Sequence, residues 1–129
     1  LALIGERSKA ISDLDEAVIS DKSYAPAFNN RAWMMAQSGN LDAAMVDVNK
    51  AIELSPEMAE AYDTRGTIYM ALKQYEPAMK DFNSSIQNRE DYAEAYYHRA
   101  LLHKLNGNTS QSAADEKRAI ELGYPVQGQ

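Results

Sequence analysis

KAIELSP, residues 50–56, returns in altered form near the end of the chain as RAIELGYP, residues 118–125. Ala51 and Ala119 stand 68 positions apart, twice 34, and Ser85 at the midpoint is the second residue of SSIQN, a weaker copy of the phrase. One further step back lands on Ala17. The same shift of 34 aligns Asp13, Asp47, Asp81 and Asp115. It also aligns Arg31, Arg65 and Arg99; Phe28, Tyr62 and Tyr96; and Ala10, Ala44, Ala78 and Ser112. A fixed period of this length marks stacked supersecondary units, each unable to bury its apolar face without a neighbour.

Each unit reads as two helices. Tyr62, Gly66 and Tyr69 fall at i, i+4 and i+7, one stripe of a 3.6-residue helix. Gly5, Gly39 and Gly107 share a register where a helix ends in positive φ, and Asn40 and Asn108 follow as caps for the next helix. Lys73 replaces that glycine in the middle unit and should make its turn less comfortable. Pro26 and Pro77 fall in first turns, where a missing N–H costs nothing. The pattern predicts helices over 6–20, 26–38, 41–54, 60–72, 76–88, 93–105 and 109–122, and no strand.

Residues 25–58 carry Phe28, Ala32, Met35, Ala44, Val48, Ala51 and Pro56, and residues 59–92 carry Tyr62, Gly66, Tyr69, Ala78, Phe82, Ser85 and Glu90. From residue 93 the same registers hold Tyr96, Ala100, His103, Ser112, Glu116, Ala119 and Tyr124. This order of aromatic, small residue, Tyr, Ala, aromatic, Ala and Pro resembles the tetratricopeptide repeat family. The resemblance implies an all-α, right-handed α-solenoid of antiparallel helix pairs. Residues 1–24 would be a partial repeat, mainly a second helix; 25–58 and 59–92 full repeats; 93–124 a capping repeat; and 125–129 a tail. Glu116 replaces the apolar Leu14, Val48 and Phe82, so the last repeat is expected to face water. Residues 1–4 take registers from the tail of a first helix, so further repeats are expected upstream, with the face of helix 6–20 exposed.

Composition narrows the functional classes. A formal charge of −6 over 129 residues disfavours nucleic acid and anionic membrane, which require clustered Lys and Arg. The absence of cysteine excludes disulfides, thiolate nucleophiles and cysteine-ligated zinc. The four-residue apolar run at 1–4 cannot span a bilayer, so no membrane insertion is expected, while cytoplasm and periplasm stay open.

The helix wheel puts a second set of side chains opposite the packing stripes, and the resemblance makes that side a groove for a partner's peptide or helix. On the first repeat it holds Asn29, Asn30, Trp33 and Gln37; on the second, Glu60, Asp63, Thr64, Thr67 and Met70. On the third it holds Glu94, Tyr97, His98, Leu101, Lys104 and Leu105. Trp33 and Tyr97 are the candidate anchors, with covering a neighbouring helix as the alternative. The family's best-known ligand is an acidic C-terminal tail clamped by Lys, Arg and Asn. Glu60 and Glu94 oppose that, so the expected partner is a protein, peptide or helix with basic and apolar groups. The competing reading is a structural spacer, or self-association through the incomplete N-terminal repeat.

No catalytic constellation is apparent. HExxH, GxSxG, GxGxxG and Walker-type motifs are absent, and no cofactor is expected. His98 and His103 are five apart and do not face one another, so no metal site is assigned, and His103, at a signature Tyr register, is expected to pack in the core. Met35 and Met79 read as gap fillers. The recurrent Arg and Asp are read as bidentate pairs fixing helix register, in preference to a phosphate ladder.

Overall fold

A computed structural model describes residues 2–125, with side chains described from residue 9 onward. The described chain is seven α-helices: α1 (Ala2–Ser20), α2 (Ala25–Gln37), α3 (Leu41–Leu54), α4 (Ala59–Ala71), α5 (Tyr75–Asn88), α6 (Ala93–Leu105) and α7 (Thr109–Glu121). No strand occurs among the described residues. The helix bounds read from sequence lie within one residue of these, except in α1, which runs through Gly5 instead of starting at residue 6. A glycine inside a helix costs only about 1 kcal/mol, little enough for the helix to run through it. The tail expected after Pro125 lies outside the described residues.

α2 packs along α3, α4 along α5 and α6 along α7, and the pairs stack through α1 on α2, α3 on α4 and α5 on α6. α2 also meets α4, and α4 meets α6, so the first helices form one continuous face. The packing residues sit inside this stack. Ala32, Ala44, Val48, Ala51 and Ile68 are fully enclosed, with Met35 against them; Ala78, Phe82 and Leu102 form a second cluster, with Met79 and Tyr69 alongside. Val48 and Phe82 are wholly buried, whereas Glu116 at their register is exposed. Serine substitutes for alanine only where a carbonyl receives its proton: buried Ser85 Oγ donates to Ala59 O at 2.8 Å, and Ser112 Oγ to Ala100 O at 2.9 Å.

The recurrent arginines each make a fork. Arg65 Nε and Nη2 donate to the two oxygens of Asp81, both at 2.9 Å. Arg31 does the same to Asp47 at 2.6 and 2.8 Å, and Arg99 to Asp115 at 2.7 and 2.9 Å. The remaining Nη1 reaches back to the preceding unit, to Asp15, Asn49 and Asn83 respectively. One guanidinium therefore ties together three helices in every repeat. Tyr62 and Tyr96 add a second inter-repeat link, their hydroxyls donating to the Pro56 and Glu90 carbonyls.

Turn chemistry separates the two kinds of helix end. α2, α4 and α6 end on Gly39, Lys73 and Gly107 at φ +87°, +61° and +79°. The following N–H then bonds back to Met35, Tyr69 and His103 carbonyls. α3 and α5 instead leave through Ser55 and Arg89, at φ −144° and −151°, into the next repeat. α7 breaks that alternation: Gly123 takes φ +99°, and the Tyr124 N–H bonds back to Ala119 O at 2.9 Å. This is why the second copy of the opening phrase reads GYP where the first reads SP. The glycine reverses the chain there, as Gly39 and Gly107 do at the ends of α2 and α6.

Two local expectations need correction or sharpening. Asn40 and Asn108 occupy N-cap positions but make no side-chain cap bond. Their ψ values of 75° and 74°, set by the preceding reversal, fall short of the β region that aims a cap side chain at the helix N–H groups. Lys73 carries a left-handed backbone penalty its glycine counterparts avoid. Lys73→Gly is expected to stabilise the protein by about 1 kcal/mol in urea unfolding.

Candidate binding groove

Three first helices build one pocket of about 330 Å³. α2 supplies Asn29, Asn30 and Trp33; α4 supplies Glu60, Asp63 and Thr64; α6 supplies Glu94 and His98. Most come from the first two turns of their helices, with Trp33 one turn further along α2. Tyr92, in the connector before α6, and Tyr124, after α7, complete the lining.

An acid–imidazole pair spans the middle of this site. His98 Nδ1 lies 2.9 and 3.1 Å from the two oxygens of Asp63, one repeat earlier. An ionised carboxylate only accepts, so Nδ1 carries the proton. The imidazole is hemmed in by Trp33, Phe82 and Tyr97, with ring centroids 6.1, 6.1 and 5.7 Å away. Above it, Tyr97 stacks on Tyr124 at 4.2 Å. At the rim, Arg89 lies over Tyr92 at 5.0 Å and reaches Glu60 at 3.7 Å.

The remaining candidates are placed elsewhere. Met70 packs against the Phe82 cluster, and the Thr67 hydroxyl donates to the Thr64 carbonyl at 2.7 Å. Gln37, Lys104 and Leu105 are exposed beyond the pocket, and Leu101 is borderline exposed. Tyr97 is covered by the chain's own Tyr124, so of the two anchors Trp33 alone lines the pocket. His103 does not simply pack among apolar groups: its Nε2 sits 3.6 Å from Asp115, joining the Arg99 fork. A histidine at a tyrosine register brings a polar nitrogen within reach of the buried carboxylate that recurs there.

Tyr92 and Tyr124 escaped the helix-wheel reading because both stand in connectors. The signal for Tyr92 was its register, shared with Tyr24 and Met58; for Tyr124 it was the glycine before it. The Tyr92 phenol is held well above its ordinary 10.0, by burial first and then by the fields of Asp63, Glu94 and Glu60. Raising a folded-state phenol pKa gives stability that is complete below the unfolded value and is lost as pH climbs above it. Tyr92→Phe should therefore flatten the decline in folding stability above pH 10.0, the ordinary phenol value, by up to about 1.4 kcal/mol per pH unit, measured against wild type by urea unfolding.

Among the described residues no group of three metal-ligating side chains converges, and no helix is long and apolar enough to cross a membrane. The architecture is that of a helical-repeat scaffold with a side-chain-lined groove along its first helices. A tetratricopeptide repeat profile matches residues 25–58 and a TPR repeat profile matches residues 66–107; together they cover more than half of the chain, which belongs to the tetratricopeptide repeat family. Solved structures with this fold include TTC0263, a thermophilic TPR protein of Thermus thermophilus, at TM-score 0.87 and 19% identity over 95% of this chain and 69% of that one. MamA aligns at TM-score 0.74 and 24% identity over 92% and 70%. The first TPR of Spaghetti (RPAP3), bound to the HSP90 peptide SRMEEVD, aligns at TM-score 0.73 and 20% identity over 80% and 82%. No curated protein sequence matches the chain.

Proposed function

We propose that this chain is a non-catalytic protein-interaction module that holds a peptide or helix of a partner along α2, α4 and α6, with basic and apolar groups facing the groove. The observation that carries the reading is the pocket itself, where Trp33 offers apolar surface beside Glu60, Asp63 and Glu94. The neighbour bound to SRMEEVD holds an acidic peptide. Three carboxylates in the corresponding face of this chain repel such a tail. A peptide array probed with the 129-residue chain tests this. Binding should concentrate in sequences placing Lys or Arg between apolar residues, and Trp33→Ala should weaken it. A tight, salt-sensitive complex with SRMEEVD would overturn the reading.

A further inference from the structure

We propose that the α6 face carrying Tyr97, Leu101 and Leu105 is the apolar part of the partner site and that Tyr124 is its built-in competitor, so that an aromatic side chain of the partner binds Tyr97 by displacing Tyr124. The inference rests on the groove reading above and adds the side chain that enters and the contact that holds it off. At the registers of Tyr97, Leu101 and Leu105 the first repeat has Asn29, Trp33 and Gln37, and the second has Asp63, Thr67 and Ala71. Only in the third repeat are all three large and apolar, one per turn along a single stripe. Tyr124 is a second departure, since its register holds Pro56 and Glu90. The two departures meet: the Tyr97 and Tyr124 rings stack with centroids 4.2 Å apart and 14° between planes. Tyr124 in consequence takes the place beside Trp33 in the pocket lining. Its phenol is held above the ordinary value, by burial first and then by Tyr97, Glu94 and Asp63, as suits a ring lying on the groove side of α4 and α6.

The cover is partial and lightly held. Tyr124 shields the first turn of the stripe but leaves Leu101 37% and Leu105 60% exposed. The hydroxyls of Tyr62 and Tyr96 are fixed to carbonyls, whereas among the described residues no hydrogen bond holds the Tyr124 side chain. Its backbone N–H stays bonded to Ala119 O while the ring turns about the Cα–Cβ bond, so the ring leaves without unwinding α7. What it gives up is one aromatic stack, which an equivalent ring from a partner restores. Incoming and outgoing groups are alike, so the surface already shows the shape it accepts: a planar aromatic side chain, with aliphatic neighbours meeting Leu101 and Leu105.

The chain's own segment supplies the probe. Acetyl-Leu-Gly-Tyr-Pro-amide, the sequence of residues 122–125, and its counterpart with Ala for Tyr are titrated into the full chain. Amide shifts of α6 and the indole shift of Trp33, the chain's one tryptophan, report binding. Tyr124→Ala should bind the Tyr peptide about three- to tenfold more tightly than wild type, whose own ring must first leave. The Ala peptide should bind neither chain, and Tyr97→Ala added to Tyr124→Ala should abolish binding of the Tyr peptide. Among sequences selected on the peptide array, those with Phe, Tyr or Trp should gain by the same factor in Tyr124→Ala. Equal binding of the Tyr peptide to wild type and Tyr124→Ala, or no gain for aromatic array sequences, would overturn the competitor. Equal binding of the Tyr and Ala peptides, or no saturable shift up to ~50 mM, would overturn the aromatic subsite. The same shifts on concentrating wild type alone would give the surface to Tyr124 of a second copy and overturn the partner assignment. In every case the array result in wild type decides the groove reading separately.

Discussion

Arg65→Ala is expected to lower folding stability by about 3–5 kcal/mol, a loss large enough to leave a domain of typical stability partly unfolded at room temperature. The cost comes from what remains behind. The Asp81 side chain is only 6% exposed, and both of its oxygens accept from Arg65. Removing the fork strands that carboxylate in the stack and frees Asn49 of the preceding repeat at the same time. Hydrogen bonding to Asp81 is also the chief reason the Arg65 guanidinium is held even more firmly protonated than usual. Arg65→Lys should recover only part of the loss, because an ammonium cannot satisfy both Asp81 oxygens and Asn49 in the same planar geometry. Replacing both partners, Arg65→Met with Asp81→Leu, should cost much less than Arg65→Ala alone, since no buried charge is then left unpaired. Urea denaturation of the four chains gives the comparison. A loss under about 1 kcal/mol for Arg65→Ala would mean that the fork behaves as an exposed ion pair.

What sequence could reveal follows from how often each contact occurs. The Arg–Asp fork repeats at one register in each full repeat, so its two halves announced themselves as aligned columns. The Asp63–His98 bridge occurs once. Its registers in the previous pair of repeats hold Asn29 and Thr64, which leave Asn29 Oδ1 unpaired, so no column marks the contact. Tyr124 was obscured for a related reason: helix-wheel reasoning stops where the helix stops, and it is the reversal at Gly123 that returns the chain to the groove. The asparagine caps were misjudged because residue type alone does not report ψ, and the preceding left-handed turn fixes it. The stack was thus legible from its period, while the pocket depended on departures from that period.

Phe82→Ala is expected to cost about 3–5 kcal/mol, and its interplay with Gly66 gives a sharper test of how two adjoining helices approach. Phe82 of α5 is fully buried, and its ring fills the space a side chain at position 66 of α4 would occupy. A Cβ built on Gly66 would fall 2.5 Å from Cε1 and 2.7 Å from Cδ1 of that ring. In an open helix Gly→Ala stabilises by about 1 kcal/mol. Here the enclosed ring cannot swing clear without displacing its neighbours, so Gly66→Ala should destabilise the wild-type chain by about 1–3 kcal/mol. In the Phe82→Ala background the obstruction is gone, and the same substitution both gains helix propensity and fills part of the cavity. Its effect should therefore change sign, becoming stabilising. A double-mutant cycle by urea unfolding reads this coupling directly. An unchanged cost of Gly66→Ala in both backgrounds would show that the helix contact, rather than the ring, sets the demand for glycine.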